Sequence, residues 1–592
     1  MLDPSNRNLY SMMIKPPVGY CLDRAVATSF SLDPLMALTI PLHFAAFDIA
    51  EDFKEGIMLY EAIRRTADRI DIFIDKGRMI YPRVTHEMYS LLEPMLHECF
   101  APNGGAFHPK CWLIRYVEND YPNNYWHRLI ISSRNITFDN SWDMCLCLDE
   151  NRTMKHENTK QNMPIKDLFG AVLANNKHIT SKRKQKIEEL LSGLDMVVWQ
   201  YPDGIQEIDF MVFGLQDKPV FPNLQGTSRM IISPFCSNKA LSSLVNNEFR
   251  ETNILISRHE TLDKLANKTL EMFGSVFTLA DNNIIEETDE QANALNGLHA
   301  KVMVYNQGYY STMYVGSANA TDAAMQFGIN VELMACLKGK KSKMGGTIEE
   351  GFLGLSEYLF PYQRRDDMLL EEDPKEELMQ SIRSIIVKKH LQVFCHQADE
   401  DRWELSLVID KPHDIIVQGD AKIFAWPITL GEQNQREIED NAVNTLGYMS
   451  KIAVTGLIAF KIQVDNQHIL RFVLNLPLVN APTDREGALI NHIISNKQNF
   501  LRYIYLLLCG QDDLSAYDIL SQLRKSNNKW LSNGSMPQLP LLEEMVHSLA
   551  KDKANFYNIK VVVEKIASVE NDIIPEDFKL LWAEIEKLVE IV

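Results

Sequence analysis

The chain has 592 residues and a mass of 67.9 kDa, which predicts roughly three to five domains. Hydrophobic residues make up 46% of it and charged residues 23%, values close to those of globular proteins, which excludes a disordered or collagen-like chain. The 60 Lys and Arg against 79 Asp and Glu give a net charge of −19. This charge excludes a protein that coats nucleic acid through a generally basic surface, and it disfavours an anionic membrane surface.

The nine cysteines include no C-x-x-C pair, so the sequence predicts neither a disulfide framework nor a structural metal site. The first 17 residues carry charges and prolines where a signal peptide would need an apolar segment. No apolar stretch approaches the roughly 20 residues that a membrane-spanning helix requires. We therefore expect a reduced cytoplasmic protein with no membrane partner.

Residues 1–190 predict a layered α/β unit in which strands and helices alternate. A strand at Arg24–Asp33 leads into an apolar helix that continues to about Phe47, and Arg69–Asp75 alternates at the period of a strand. Three further strands are predicted at Cys111–Val117, Arg128–Ser132 and Asp143–Leu148.

The polar and basic stretch 150–183 is interpreted as the seam before a second half, and a helix is predicted at Lys184–Leu194. In residues 191–365 the alternation restarts, with strands at Arg229–Phe235 and Asn253–Arg258 and helices at Asn238–Asn246 and Glu260–Phe273. The block Leu298–Leu337 then has the same layout as Phe107–Leu148. The sequence thus predicts a duplicated α/β core of two pseudo-symmetric halves.

Residues 366–480 predict a β-rich accessory domain, and residues 481–592 predict a helical C-terminal domain. The accessory domain begins with an acidic helix within Met368–Lys388. Its predicted strands are Trp403–Asp410, Asp414–Val417, Lys422–Trp426, Ile452–Gln463 and Ile469–Leu476. The predicted C-terminal helices are Asp484–Leu508, Leu514–Arg524, Leu541–Asp552 and Pro575–Val592.

One short pattern occurs twice in the chain. Of the 15 histidines, only His108 and His299 have a lysine two positions later, and these lysines are Lys110 and Lys301. Both copies are followed by a strand, a loop, a strand and a Ser-x-Asn. The downstream residues are Ser133 and Asn135 in the first half, and Ser317 and Asn319, followed by Glu332, in the second.

The spacing of these residues suits phosphate chemistry. On a strand, residues i and i+2 share a face, so each histidine lies beside its lysine. The serine hydroxyl and the asparagine amide can donate hydrogen bonds to phosphate oxygens. If the two halves come together, two imidazoles, two ammonium groups and two amides surround one phosphorus atom.

This duplicated pattern resembles the signature of the phospholipase D superfamily, His-x-Lys with a downstream Gly-Ser-x-Asn, over Arg24 to Phe360. There are two departures. The lipid-cleaving members have Asp five residues after the Lys, where this chain has Arg115 and Asn306, and Ser132 replaces the Gly of the first half. The missing Asp makes the chain more similar to the tyrosyl-DNA phosphodiesterase branch and related phospholipase D-like nucleases.

The resemblance implies a phosphodiesterase that needs no metal and no cofactor and forms a covalent phosphohistidine. His108 is assigned as the nucleophile and His299 as the acid and base, although the symmetry of the motifs allows the reverse. Charge on the phosphate would be stabilised by Lys110, Lys301, Asn135 and Asn319, with Ser133 and Ser317 in support. Glu332 is expected to orient an imidazole, and Asp143 is its counterpart in the first half.

The first hypothesis for function is a nuclease, with DNA favoured over RNA, in bacterial defence against foreign DNA. The second is a phospholipid-type phosphodiesterase or transferase, and the third is a catalytically inactive scaffold that binds a partner protein. The sequence has no Walker A motif. A helicase or other protein, bound through the C-terminal domains, would therefore have to unwind a duplex substrate.

Overall fold

The computed structural model describes most of residues 10–494 and a C-terminal helix. The described ranges are 10–44, 56–138, 141–154, 159–176, 178–215, 225–245, 248–279, 297–344, 355–365, 373–400, 402–416, 421–494 and 574–591, with the single residues 497, 500, 501, 503, 504, 545, 560 and 563. The helix predicted at Leu514–Arg524 lies outside these residues. So does nearly all of Leu541–Asp552 and most of the predicted helix beyond residue 494.

Six strands form an N-terminal sheet with the order β3-β2-β1-β4-β5-β6. Strands β1, β2 and β3 are parallel to one another, and β4, β5 and β6 continue the sheet in antiparallel steps. The strands are β1 Tyr20–Ser29, β2 Ile70–Asp75, β3 Leu96–Cys99, β4 Cys111–Glu118, β5 Tyr121–Ser132 and β6 Cys145–Asp149.

A second sheet has eight strands, in the order β14-β10-β9-β8-β11-β12-β13-β7. Its six strands from β10 to β13 repeat the order and the directions of the N-terminal sheet, and β14 and β7 extend the two edges. The predicted duplicated α/β core is therefore confirmed. The strands are β7 Ile205–Phe213, β8 Ser228–Ile232, β9 Asn253–Ser257, β10 Ser275–Leu279, β11 Val302–Gln307, β12 Tyr310–Gly316, β13 Glu332–Lys340 and β14 Leu359–Pro361.

Ten helices of the described core surround the two sheets. They are α1 Tyr10–Ile14, α2 Pro34–Phe44, α3 Gly56–Thr66, α4 Thr159–Asn175, α5 Ser181–Gly193, α6 Asn238–Leu244, α7 His259–Asp263, α8 Asn267–Leu270, α9 Asp322–Met325 and α10 Lys341–Met344. Side-chain caps fix two of the starts, because Thr180 accepts from Arg183 N at α5 and Ser237 accepts from Ala240 N at α6.

One hydrophobic core lies between the two sheets. Val26 and Leu113 of the first sheet belong to the same buried cluster as Val304 and Val315 of the second. This shared core holds the two halves together and fixes the relative position of the loops at their common edge.

The stretch 150–183 was predicted to be a polar seam, but half of it forms the helix α4. Its apolar residues recur at helical spacing and enter the core between the sheets. These residues are Ile165, Leu168, Phe169, Val172 and Leu173. The boundary expected at residue 190 falls inside α5.

The β-rich accessory domain is confirmed as two four-stranded sheets, β19-β16-β15-β22 and β18-β17-β20-β21, which share a buried core. Its strands are β15 Leu391–Gln397, β16 Arg402–Ile409, β17 Lys422–Pro427, β18 Arg436–Glu437, β19 Val443–Ser450, β20 Leu457–Gln463, β21 Ile469–Asn475 and β22 Leu478–Val479. The described helices that follow the core are α11 Pro374–Lys388, α12 His413–Ile416, α13 Arg485–Ile493 and α14 Glu576–Ile591.

Two predicted elements differ in the structure. The strand predicted at Asp414–Val417 is wrong, because α12 occupies His413–Ile416 after a left-handed turn at Lys411. The helix predicted at Glu260–Phe273 is divided into α7 and α8. Between them, the Asn238 side chain accepts hydrogen bonds from Ala266 N and Thr269 Oγ1 and stabilises the turn. Within the described residues, no helix combines the length and apolarity needed to cross a bilayer.

Candidate active site

Both His-x-Lys segments lie directly before the central antiparallel strand of their sheet. His108 and Lys110 precede β4, and His299 and Lys301 precede β11. The shared edge of the two sheets therefore receives one copy of the motif from each half.

Backbone pairing between the halves brings the two copies together. Val331, directly before Glu332, accepts from His108 N at 2.9 Å, and Val331 N donates to Ala106 O at 2.9 Å. The symmetry-related contact uses Trp142, directly before Asp143, whose carbonyl accepts from His299 N at 3.0 Å. Each acid is thus placed beside the histidine of the opposite half.

Side-chain contacts between the histidines and the acids also cross from one half to the other. His108 Nδ1 lies 2.8 Å from Glu332 Oε2, and His299 Nδ1 lies 2.8 Å from Asp143 Oδ1. An ionised carboxylate only accepts hydrogen bonds, so Nδ1 of each ring carries the proton and donates it. Nε2 is left unprotonated in each neutral ring, with its lone pair free.

The carboxylates are held in turn by the predicted serines. Ser133 Oγ donates to Asp143 Oδ1 at 2.8 Å, and Ser317 Oγ donates to Glu332 Oε2. Asn330 Nδ2 donates to the second oxygen of Glu332 at 3.3 Å. The serine hydroxyls therefore donate to the acids and position them.

The two lysines are almost completely buried, each with 1% of its surface exposed. Each folds back on its own motif, with Lys110 Nζ donating to His108 O at 2.9 Å and Lys301 Nζ donating to His299 O at 2.6 Å. Burial, together with the charge of Lys301, holds the pKa of Lys110 well below its ordinary value. The charge of each half's lysine thus acts within the same site, as expected of a site that receives an anion.

Electrostatics favour neutral imidazoles and ionised carboxylates. Burial lowers the pKa of His108 to about 4, and the charges of Lys110 and Lys301 act in the same direction against Glu332. Burial also lowers the pKa of His299, against the hydrogen bond of Asp143. For Glu332 and Asp143, burial acts to raise the pKa, but the histidine partners and the lysines outweigh it and the net pKa is lowered.

Both asparagines of the motif carry an amide oxygen with no hydrogen-bond partner in the part of the chain that the structure describes. Asn135 Oδ1 and Asn319 Oδ1 are each buried and lack a partner there, and so does Asp143 Oδ2. Buried polar atoms without partners are uncommon in folded proteins. Rotation of an amide exchanges its oxygen and its nitrogen, so both side chains can present N–H donors to an anion.

The residues that depart from the expected motif pattern have the following contacts. Arg115 donates to Asp23 and to Glu189 O, whereas the buried Asn306 side chain has no hydrogen-bond partner among the described residues. Ser132, in place of the family glycine, donates its hydroxyl to Arg134 O at 3.2 Å.

Three residues beside the site were not predicted. The Phe30 ring lies 5.0 Å from the His108 ring in an edge-to-face contact, and Asp75 accepts from Phe107 N at 2.9 Å. The third is Asn330, which holds Glu332. Phe30 directly follows β1, and Asp75 is the last residue of β2. The loops that follow these parallel strands meet at one edge of the sheet, but no spacing in the sequence links the two residues to His108. Burial raises the pKa of Asp75 to about 6.

In the part of the chain that the structure describes, no group of three or more His, Cys, Asp or Glu side chains is arranged to hold a metal ion.

No protein-family model matches the chain, and no curated protein sequence matches it. The solved structures that match this chain include polyphosphate kinase from Porphyromonas gingivalis, with 11% sequence identity and a TM-score of 0.29. The match covers 64% of this chain and 45% of the kinase chain. A second is phosphatidylserine synthase from Haemophilus influenzae Rd KW20, at 10% identity and a TM-score of 0.32, over 64% of this chain and 90% of that one. The chain thus spans less than half of the polyphosphate kinase.

Proposed function

We propose that this protein hydrolyses phosphodiester bonds of nucleic acid through a covalent phosphohistidine, as the resemblance to the phospholipase D superfamily implies. One observation carries the proposal. Each motif histidine is held at Nδ1 by an acid of the other half and is followed two residues later by a buried lysine, which supports a single site that contains both imidazoles.

In the first step, Nε2 of the nucleophilic histidine attacks phosphorus. A P–N bond forms and the bond from phosphorus to the leaving oxygen breaks, while the second histidine, in its protonated form, gives the proton on Nε2 to that oxygen. The acid at Nδ1 stabilises the positive charge that develops on the nucleophile's ring.

In the second step, a water molecule gives a proton to Nε2 of the second histidine and attacks phosphorus. The P–N bond breaks and its electron pair returns to Nε2 of the nucleophile. Both imidazoles then have the protonation states with which they began, and the product carries a phosphomonoester.

The lysines and amides would provide the positive charge that a phosphoryl group requires. An anion between the histidines would raise the pKa of Lys110 and favour its ammonium form. The amides of Asn135 and Asn319 then rotate to donate to the non-bridging oxygens. With these four groups in place, the proposed reaction needs no metal ion.

The two histidines differ in a way that supports His108 as the nucleophile. His108 is the more deeply buried, and its pKa of about 4 keeps Nε2 unprotonated over nearly the whole working range of pH. A nucleophile needs that free lone pair, whereas the acid must be protonated at the start of the reaction. The negative charge of an approaching phosphate would raise the pKa of His299, which could then take up a proton from solvent and serve as the acid.

Nucleic acid, with DNA before RNA, is the proposed substrate class because the pattern is closest to the tyrosyl-DNA phosphodiesterase branch. A helicase or other protein partner at residues 366–592 and a place in antiviral defence remain predictions from the sequence.

The test uses the full chain with single-stranded and duplex DNA, and with RNA, each labelled at internal phosphates, in excess EDTA. We expect cleavage by the wild-type protein and a loss of at least about 10³-fold for His108→Ala and for His299→Ala. His413→Ala is the matched control, because His413 is exposed and pairs with Asp440 in the accessory domain. Turnover of phospholipid vesicles without DNA cleavage, or no turnover of either substrate, would exclude the proposed function.

A further inference from the structure

The turn Asp75–Arg78, directly after β2, connects the site to a group of cations outside it. Asp75 accepts from Phe107 N, next to His108. The guanidinium carbon of Arg78 lies 4.7 Å from the centre of the Phe30 ring, which lies 5.0 Å from the His108 ring. The Arg78 guanidinium is therefore within about 10 Å of the His108 ring, and the Phe30 face fixes its orientation.

The accessory domain packs against this same turn. Gly77 has φ +78°, and a Cβ built on it would lie 2.3 Å from Val387 Cγ2 of α11, so the helix requires glycine at this position. Val473 N donates to Met79 O at 2.9 Å and attaches β21 just beyond the turn. Arg383 is one helical turn before Val387, on the side of α11 that faces the core.

The turn and the helix together place two arginines beside one carboxylate. Arg78 Nε lies 3.6 Å from Asp75 Oδ2, whereas Arg383 has no hydrogen bond or ion pair among the described residues. Burial and the neighbouring Arg78 lower the pKa of Arg383 to about 10. The turn also holds Glu98, which accepts from Gly77 N at 3.4 Å, and Lys76, whose charge acts on Glu98. The three cations Lys76, Arg78 and Arg383 outnumber the two carboxylates, which leaves a net positive charge that an anion would neutralise.

We propose that Arg78 and Arg383 bind a second phosphate of the substrate, next to the phosphate held between the histidines. Guanidinium groups suit this task because their planar N–H donors match phosphate oxygens in pairs. The accessory domain then selects a strand of nucleic acid over a diester with one phosphate. This inference rests on the proposed function and adds the substrate feature that residues 373–479 would recognise.

The second phosphate site lies on the His108 side of the active site. In the other half, Arg258 covers the Phe235 ring at 5.0 Å and donates to Leu298 O at 2.8 Å, next to His299. Both halves thus place an arginine on an aromatic ring beside the motif, but the described accessory domain contacts the turn of the first half. A nucleic-acid strand bound in this way would cross the active site with a single polarity.

The experiment compares Arg383→Ala with the wild-type full chain on two substrates in EDTA. One is a single-stranded DNA 20-mer, and the other is the 4-nitrophenyl ester of thymidine 5′-monophosphate, which has one phosphate. We expect the ratio of kcat/KM for the 20-mer to kcat/KM for the ester to fall about tenfold, and the salt dependence of 20-mer binding to fall by about one ion. Arg402→Ala is the matched control, since Arg402 is exposed in the same domain and pairs with Asp399.

An unchanged ratio, or an equal loss on both substrates, would overturn the second phosphate site and leave the proposed function intact. If the wild-type protein cleaves neither substrate, the proposed function fails, and binding of the labelled 20-mer then decides the inference. Weaker binding by Arg383→Ala than by the wild type and by Arg402→Ala supports the site, whereas equal binding overturns it. Arg383→Lys, which keeps the charge, reports whether a loss comes from misfolding.

Discussion

Glu332 holds the ring of His108, a residue of the opposite half, with 2.8 Å between Oε2 and Nδ1 and with the carboxylate fully buried. Asp143 and His299 repeat this contact in the reverse direction. Neither half contains the acid that orients its own histidine, so the duplication yields one composite site and not two separate ones.

Replacing Glu332 tests this positioning role. In Glu332→Gln the amide can donate to Nδ1, which moves the ring proton to Nε2 and blocks attack. We expect kcat to fall by about 10²–10⁴-fold. Because the Glu332 charge raises the pKa of His108, its removal should also move the acid limb of kcat/KM to lower pH.

The matched control is Glu207→Gln, which removes an exposed carboxylate paired with Lys338. Equal activity of Glu332→Gln and wild type, or a fall in kcat without a shift of the acid limb, would contradict the role of Glu332.

The pKa values of the two histidines predict an acidic optimum for the free enzyme. The rate on the acid side falls as the nucleophile His108 becomes protonated, near pH 4. On the alkaline side it falls as His299 loses its proton, at a pH below the ordinary value of 6.5 because burial lowers its pKa. A profile of kcat/KM against pH would therefore peak between these limits.

In the enzyme–substrate complex the phosphate charge favours protonated His299, so the alkaline limb of kcat should lie at higher pH than that of kcat/KM. A kcat/KM profile that keeps rising above pH 8 would contradict this assignment.

The close approach of the halves predicts that Gly105 cannot be enlarged. A Cβ at Gly105 would lie 2.4 Å from Ile329 O, two residues before the backbone contact that places Glu332. We expect Gly105→Ala to destabilise the protein by about 1–3 kcal/mol and to reduce activity. Gly170→Ala is the control, because an added Cβ meets nothing within 4 Å and alanine favours the helix by about 0.5–1 kcal/mol.

Urea unfolding of both variants measures the free energies. If Gly105→Ala were as stable and as active as the wild type, the two halves would not be held at the distance that the structure shows.

Glu93 of the first half contacts the accessory domain, and its replacement tests how much this contact contributes to the free energy of unfolding. Its carboxylate accepts two hydrogen bonds from Arg485 at 2.9 Å, one from Thr455 Oγ1 at 2.7 Å and one from Gly456 N at 3.0 Å. Glu93→Ala removes the carboxylate from the partly buried Arg485 and leaves its guanidinium the Val454 carbonyl, to which it donates at 3.0 Å, and we expect a loss of about 2–4 kcal/mol in the free energy of unfolding.

Glu437→Ala is the comparison, because the exposed Glu437 and Lys422 lie 3.6 Å apart and such surface pairs contribute about 0–1 kcal/mol. Chemical denaturation of both variants that showed no difference between them would contradict the role of Glu93.

The sequence predicted the duplicated core and the residues of the site because the motif repeats with its surrounding strands. His108, His299 and their lysines stand at matching positions directly before a strand, so the pattern can be read locally in each half. The pattern contains no information about which acid reaches which ring. That depends on pairing of residue 331 with residues 106–108, which lie more than 200 positions away.

The buried face of α4 and the contacts of Asp75 and Arg383 were not predicted from the sequence. The lysines of 150–183 suggested a solvated seam, although Ile165, Phe169 and Val172 have the spacing of a buried helix face. Asp75 and Arg383 were missed because their role depends on the packing of α11 against Gly77. Such contacts between domains leave no periodic signal.

The most direct test of the central claim is the covalent intermediate. His299→Ala keeps the nucleophile but lacks the base for hydrolysis, and 4-nitrophenolate leaves without protonation. Rapid mixing with the thymidine ester in EDTA should therefore release one equivalent of nitrophenolate per site and leave thymidine monophosphate linked to His108, as located by mass spectrometry. The same experiment with His108→Ala should give neither a burst nor a labelled protein. The account would be contradicted if His299→Ala gave no labelled protein, or if label were found on a residue other than His108.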